Sequence, residues 1–246
     1  MAQNAPRDVI TDLAPSGTLR AAMNFGNSVL AQKDPASGEP KGVSSELARE
    51  LARRLGVPIA FVGFDAAGKV VEALKNGAWD VAFLAVDPVR ADTIDFSPPY
   101  VIIEGAYLVP KHSPLQTVAE VDRPGVRIAV GKGSAYELYL TRALKHAQLI
   151  RDPSGKDALD AFLRDKLEAA AGVKQPIVAF AKDHPETRVI PGRFMVIEQA
   201  MACPRGRTAG AQYIRQFIEE MKASGFVARA LAASGQAEAT VAPPAR

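Results

Sequence analysis

The residues best equipped for chemistry in this chain of 246 stand next to strand-like or glycine-rich stretches. Arg90 comes shortly after the apolar run Val81–Val86, with Asp87-Pro88 between them. A guanidinium presents a planar fork of donors that matches a carboxylate. It could equally pair with Asp87 or Asp95 at the surface. Gly131-Lys132-Gly133-Ser134 precedes a helical pattern, and Ser134 to Glu137 has the spacing of a capping box. Amides of Gly133, Ser134 and Ala135 at such a helix start could hold an anion. Asn24-Phe25-Gly26-Asn27 offers amide side chains and an aromatic face, although an ordinary asparagine-glycine loop has the same composition.

Other chemistries find little support. The single cysteine, Cys203, rules out an internal disulfide, and no activating motif surrounds it, so it reads as a structural thiol. His112, His146 and His184 show no zinc-ligand spacing, so no metal is expected, and no cofactor. The glycines of the Gly-Lys-Gly loop make neither a dinucleotide fingerprint nor a P-loop. No nucleophile stands beside a base. With 30 Lys+Arg against 27 Asp+Glu the net charge is +3, and the basic residues are scattered, which argues against nucleic acid.

The elements that must position these residues follow from periodicity. Hydrophobic residues make up 48% and charged residues 23%, enough for a sizeable core. No apolar run approaches the ~20 residues that span a bilayer. Thr18–Met23 and Val57–Val62 read as strands, and the run Asp80–Val86 as a strand covered on both faces. Between them Leu47, Ala48, Leu51, Ala52 and Leu55 recur at helical spacing, with Ser44 as cap and Gly56 past the end. A second helix around Val70–Leu74 stops at Asn76-Gly77, and Asp87-Pro88 is a good helix start. Later, the run from Asp157 to Gly172 reads as a helix, Gln175–Phe180 as a strand and Phe194–Pro204 as another. An amphipathic helix from about Thr208 to Ala223 follows, then a short one around Phe226–Leu231. Alternation of this kind predicts an α/β fold with parallel strands. The polar start, Met1 to Pro6, carries no apolar signal core, and fits either a cytosolic protein or a mature exported one. The tail Ala237–Arg246 reads as a disordered end.

Several segments together resemble bacterial periplasmic solute-binding proteins of the polar-amino-acid ABC-transporter family: "GTLRAAMNFGN" with "GVSSELARELARRLGVPIAFV", "ALKNGAWDVAFLAVDPVRADTIDFSPPY", "VRIAVGKGSAYELYL" and "IEQAMACPRG". The resemblance covers roughly Gly17 to Gly235. It implies a two-lobed type II α/β fold that closes on its ligand, with lobe 1 about residues 1–106 plus 200–246 and lobe 2 about 107–199. Two strands near Glu104–Val109 and Glu198–Pro204 would cross between lobes, with Gly105 a place for hinge motion and the C-terminal helices returning to lobe 1. It further implies a monomer in the periplasm, its export signal absent from these residues, that delivers an anionic or zwitterionic solute to an ABC-transporter membrane permease.

Carried over by position, Arg90 would clamp a ligand carboxylate, with the Gly133-Ser134-Ala135 loop as second jaw. Phe25 would be a wall, and Asn24 and Asn27 hydrogen bonders. Asp87, Tyr100, Glu104 and Gln199 complete the candidate set. The chain also departs from the family. Amino-acid binders carry an aspartate for the α-ammonium in the region that reads "LEAAAGVKQ" here, and Ala170–Val173 supply no carboxylate. Either Asp87, Glu104 or Glu198 takes over that task or the solute lacks an ammonium, and the second is the expectation because an unpaired buried ammonium is too costly. Two other functions stay open beside solute binding. One is a dehydratase-like enzyme on the same fold, using Glu104, Glu198 or Asp87 for acid–base work. The other is a sensory ligand-binding module.

Overall fold

The computed structural model describes residues 5–245; the sequence reading of Met1 to Asn4 and of Arg246 lies outside the described residues. In chain order the elements are α1 (Arg7–Leu13), β1 (Leu19–Asn24), β2 (Gln32–Lys33), β3 (Pro40–Lys41), α2 (Val43–Leu55), β4 (Ile59–Phe64), α3 (Ala67–Ala73), β5 (Val81–Ala85), α4 (Pro88–Ala91) and β6 (Ile94–Pro110). Then come β7 (Arg127–Gly131), α5 (Ala135–Ala143), β8 (Gln148–Asp152), α6 (Gly155–Arg164), β9 (Ala169–Val173), α7 (Lys174–Asp183), β10 (Thr187–Val189), β11 (Met195–Pro204), α8 (Thr208–Ala223), α9 (Phe226–Ala233) and β12 (Thr240–Val241). This is the α/β fold that the alternation predicts.

The chain forms two compact units. One holds the described residues up to Asp65, then Lys69–Ile102, and everything from Glu198 onward; the other holds Ala66–Gly68 and Ile103–Ile197. The chain leaves the first unit inside β6 and re-enters it inside β11.

In the first unit the strand order is β4-β1-β5-β11. β1 runs parallel to both β4 and β5, whereas β11 is antiparallel to β5. All five residues of β5 are buried, as its unbroken apolar run requires. α8 packs on α1, and α9 on α2 and α8. A carboxylate network ties these layers together. Asp80, immediately before β5, has no exposed side-chain surface. Its Oδ2 accepts from Arg20 Nε at 2.9 Å and Arg20 N at 3.1 Å, and its Oδ1 from Arg20 Nη2 at 2.8 Å and Arg207 Nη1 at 3.1 Å. Arg207 also donates to the Asp12 carbonyl, and Asp12 Oδ2 accepts from Gly210 N, joining α1 to the start of α8.

In the second unit the order is β6-β9-β7-β8. β7 is parallel to β8 and β9, and β6 is antiparallel to β9. One core gathers Tyr107, Val109, Ile128, Val130, Tyr136 and Leu140 on one face, while α6 and α7 cover the other through Phe162 and Ile177.

Several local expectations are corrected. Ser44 caps nothing: α2 starts from Gly42, and Ser44 is buried inside the helix with its Oγ 3.0 Å from the Tyr100 hydroxyl. The alanine run Ala169–Ala171 is not the end of a helix but strand β9, because pairing with both β6 and β7 overrides alanine's high intrinsic helix propensity. The run after it is helix α7 rather than a strand; Pro176 lies in the first turn, where its missing N–H costs nothing. The tail is ordered as β12, which pairs Thr240 with Ile102 and Val241 with Val101, and Ala242 N donates to the Tyr100 carbonyl. Gly105, the expected place for hinge motion, also has a packing reason to be glycine. It pairs with Val173 in the ladder, and a Cβ there would lie 2.7 Å from the Phe194 ring and 2.8 Å from Met195 Cγ.

Candidate functional site

In parallel α/β sheets ligands collect outside the carboxyl ends of the strands. In the first unit these are the ends of β1, β4 and β5. Asn24 is the last residue of β1, and its Oδ1 accepts from Gly26 N at 3.1 Å, which shapes the loop. The Phe25 ring lies against Gly63 of β4, where a Cβ would come within 2.8 Å of it, and the Lys33 ammonium stands 4.9 Å from its centroid. Asn27 is 7% exposed, and its Oδ1 is buried with no hydrogen-bond partner in the protein.

After β5, Asp87 caps α4 as its sequence foretells, its Oδ1 accepting from Val89 N at 2.9 Å with Pro88 in the first turn. Arg90 is 2% exposed, so it does not lie at the surface. Its Nη1 donates to the Ala85 carbonyl at 2.8 Å, folding the guanidinium back onto the end of β5. Burial lowers its pKa to about 10, against the attraction of Asp87, and it stays cationic at neutral pH. Gln199, 5% exposed, pairs with Ala85 and so lies beside the same strand end. Tyr100 is enclosed, edge-on to Phe83 at 6.0 Å. Burial pushes its phenol pKa up, and its hydroxyl is engaged by Ser44 within the core.

In the second unit the corresponding ends are those of β7, β8 and β9. Ser134 caps α5 by accepting from Glu137 N at 3.1 Å. The Glu137 carboxylate reaches back past Ser134, and its Oε2 accepts from Gly133 N at 3.1 Å, while Ser134 N donates to the Gly131 carbonyl. The expected anion cradle is thus corrected: two of its three amides are engaged, one by the protein's own carboxylate. Thr141 and Arg151 hold that carboxylate from the other side at 2.9 Å and 2.7 Å. At the end of β8, burial raises the Asp152 pKa, and its Oδ2 is buried with no protein partner.

At the end of β9 the charge is reversed. Glu104 on β6 bonds Lys174 Nζ at 2.7 Å through Oε2 and Arg193 Nη1 at 2.6 Å through Oε1. Hydrogen bonds from Lys174, then Arg193, hold its carboxyl below the usual range. Sequence reasoning passed over Lys174 and Arg193, and gave Glu137 only the part of a capping-box partner. The missing carboxylate in Ala170–Val173 was the nearest signal for Lys174, but its partner lies 70 residues away. Among the described residues no group of three metal-ligating side chains occurs, and no helix is long and apolar enough to cross a membrane.

The family described as bacterial extracellular solute-binding proteins, family 3, matches residues 30–233. The chain is 24% identical over 197 residues to the amino-acid-binding protein AabA of Dichelobacter nodosus, covering 77% of each. It is 20% identical over 227 residues to the ABC transporter glutamine-binding protein GlnH of Bacillus subtilis (strain 168), covering 91% of this chain and 83% of that one. A solute receptor for L-cysteine from Neisseria gonorrhoeae shares the fold with a TM-score of 0.79 at 23% identity, covering 92% of both chains. Matched over most of its length, the chain belongs to the bacterial extracellular solute-binding proteins, family 3.

Proposed function

We infer that this chain is a non-catalytic periplasmic binding protein that captures a small carboxylate-bearing solute, an organic acid or amino-acid-like molecule, and hands it to the permease of an ABC transporter. Arg90 is the observation that carries this reading. A guanidinium that stays charged at nearly full burial beyond the end of β5 is suited to a ligand carboxylate. Phe25 contributes an apolar wall, and Asn24, Asn27 and Gln199 contribute amides from the same edge of the first unit.

An α-ammonium would need a carboxylate of its own. Asp87 accepts from the Val89 amide, Glu104 is bonded by two cations, and Glu198 is exposed rather than enclosed, so none is well placed to serve a buried ammonium. This favours a solute without an ammonium. Asn27 Oδ1 would suit a hydroxyl or amide donor on that solute.

A thermal-shift screen of amino acids and carboxylic acids tests the proposal, since bound solute raises the melting temperature with the logarithm of its concentration over Kd. The best hit then goes to calorimetry with Arg90→Lys and Arg90→Ala. Loss of the buried charge should weaken binding by about 2–5 kcal/mol, with Lys recovering part of it. Circular dichroism confirms that each variant is folded. Wild-type affinity in a folded Arg90→Ala protein would remove Arg90 from the site. A strong hit with a standard amino acid, abolished by Asp87→Asn, would overturn the preference against an ammonium.

A further inference from the structure

We propose that the first unit holds a second binding site, a cavity between the start of β6 and one exposed face of α8, and that it takes a small zwitterion, a molecule with a carboxylate and an ammonium on an apolar body. The inference goes beyond the function proposed above and does not rest on Arg90.

The cavity has a volume of about 520 Å³, within the range of small-molecule sites. Its whole lining lies in the first unit. One wall is Thr208, Ala211, Gln212 and Arg215, at the i, i+3, i+4, i+7 spacing of a single helix face. The buried residues Ile214, Phe217, Ile218 and Met221 occupy a different face of the same helix. The other wall is Ile94, Asp95 and Phe96 at the start of β6. Hydrogen bonds tie the two walls together. Arg205 Nη1 donates to the Ala91 and Asp92 carbonyls at 3.0 Å and 3.3 Å, and Arg215 Nη1 to the Phe96 carbonyl at 3.2 Å. Gly206 N donates to Asp95 Oδ2 at 3.2 Å.

The charges around this cavity are not spent on one another. Each guanidinium uses only Nη1 in these bonds, which leaves its Nε–Nη2 edge, the pair of parallel donors that a carboxylate takes. Asp95 uses Oδ2, which leaves Oδ1. Among the described residues neither Arg205 nor Arg215 forms an ion pair with Asp95 or with any other carboxylate. Two cations and one anion thus line a single cavity with capacity to spare. They match a ligand that brings both signs, a carboxylate for the arginines and an ammonium for Asp95. A simple anion would meet the Asp95 charge uncompensated, and a simple cation would meet both arginines. Ile94, Phe96 and Ala211 supply apolar surface for the body of the molecule.

The test uses the whole chain labelled with nitrogen-15 and follows amide shifts with three probes that share a phenylethyl body: L-phenylalanine, 3-phenylpropanoate and 2-phenylethylamine. Shifts at Gly206 and Gln212 report this cavity, whereas shifts at Asn24 and Asn27 report the site of the proposed function. L-phenylalanine should move the first pair and bind there at least about fivefold more tightly than either singly charged probe, the scale of a partly exposed ion pair. Arg215→Gln and Arg205→Gln should each weaken L-phenylalanine by about fivefold at this cavity without weakening 2-phenylethylamine. Asp95→Asn should weaken L-phenylalanine by a similar factor, while 3-phenylpropanoate binds as well or better because the repelling charge is gone. A cavity that merely collects aromatic rings would show none of these differences. Circular dichroism confirms that each variant is folded, and the two arginine variants stand in for one another should one fail. Absence of shifts at Gly206 and Gln212 with L-phenylalanine at its solubility limit overturns the site. So does 3-phenylpropanoate binding to wild type as tightly as L-phenylalanine, or an unchanged L-phenylalanine affinity in a folded arginine variant. L-phenylalanine shifts confined to Asn24 and Asn27 would sink this cavity while leaving the proposed function standing.

Discussion

Replacing Asp80 by asparagine should destabilise the first unit by about 3 kcal/mol. The side chain is fully enclosed and receives four hydrogen bonds, three from Arg20 and one from Arg207. Asparagine keeps one acceptor, but its new NH₂ group faces an arginine donor. Two charge-assisted bonds of about 1.5–3 kcal/mol each are then lost. Arg20 and Arg207 retain 32% and 24% exposure, so water restores part of that loss, and the low end of the about 3–5 kcal/mol seen for broken buried pairs applies. Trp79, the only tryptophan, is wholly buried beside Asp80 in the same unit, and its fluorescence reports this unit during urea unfolding. Acid adds a second arm. Burial alone would raise the Asp80 carboxyl, but the hydrogen bonds from Arg20 and Arg207 outweigh it and hold its pKa below the ordinary value. Its stabilisation is therefore complete above the unfolded value of about 3.9 and fades as pH falls through the folded one. The gap between wild type and Asp80→Asn should be flat above about pH 5 and narrow below about pH 4. A loss under about 1 kcal/mol at neutral pH, or a gap that widens in acid, would refute this account of the network.

Two further outcomes follow from the packing. Gly105→Ala should cost about 1–3 kcal/mol in urea unfolding followed by near-UV circular dichroism, because the Phe194 ring it strikes is already stacked on Tyr107 at 4.4 Å and has little room to move; a neutral substitution would show that packing does not require the glycine. Deleting residues 239–246 should lower the stability of the first unit by about 1–3 kcal/mol by removing the β12 ladder and the bond to the Tyr100 carbonyl, and faster amide exchange at Val101 and Ile102 should accompany it. An unchanged exchange pattern would show that the tail does not protect that edge.

What could be read in the sequence was what local chemistry decides. The unbroken apolar run of β5, the Asp87-Pro88 start of α4, the left-handed Gly56 and the span of α8 all depend on neighbours within a few residues. Where distant pairing decides, the reading went astray. Ala169–Ala171 has a helix former's composition, yet two flanking strands claim it. Ser44 has the type of a cap, but Tyr100, 56 residues on, takes its hydroxyl. The site divides in the same way. Arg90 stood out by type and position, and so did the Ser134 cap. That Glu137 would reach Gly133 rather than stop at Ser134 depends on its grip by Arg151 on the neighbouring strand.

The route of the chain through β6 and β11 also fixes an order of events during synthesis. The second unit is, apart from Ala66–Gly68, one contiguous stretch, Ile103–Ile197. The ribosome releases all of it before the first unit has the second strand that borders β5, since β11 enters that unit only from Glu198. The first unit must then wait longer still for α8 and α9, which pack on α1 and α2 near the opposite end of the chain. Closing contacts over some two hundred residues is slow, so the nascent chain should carry a folded middle between unfolded flanks. Protease digestion of ribosome-stalled chains long enough for Ile197 to have cleared the ribosome should leave a resistant fragment that begins near Ile103, with Trp79 already cut away.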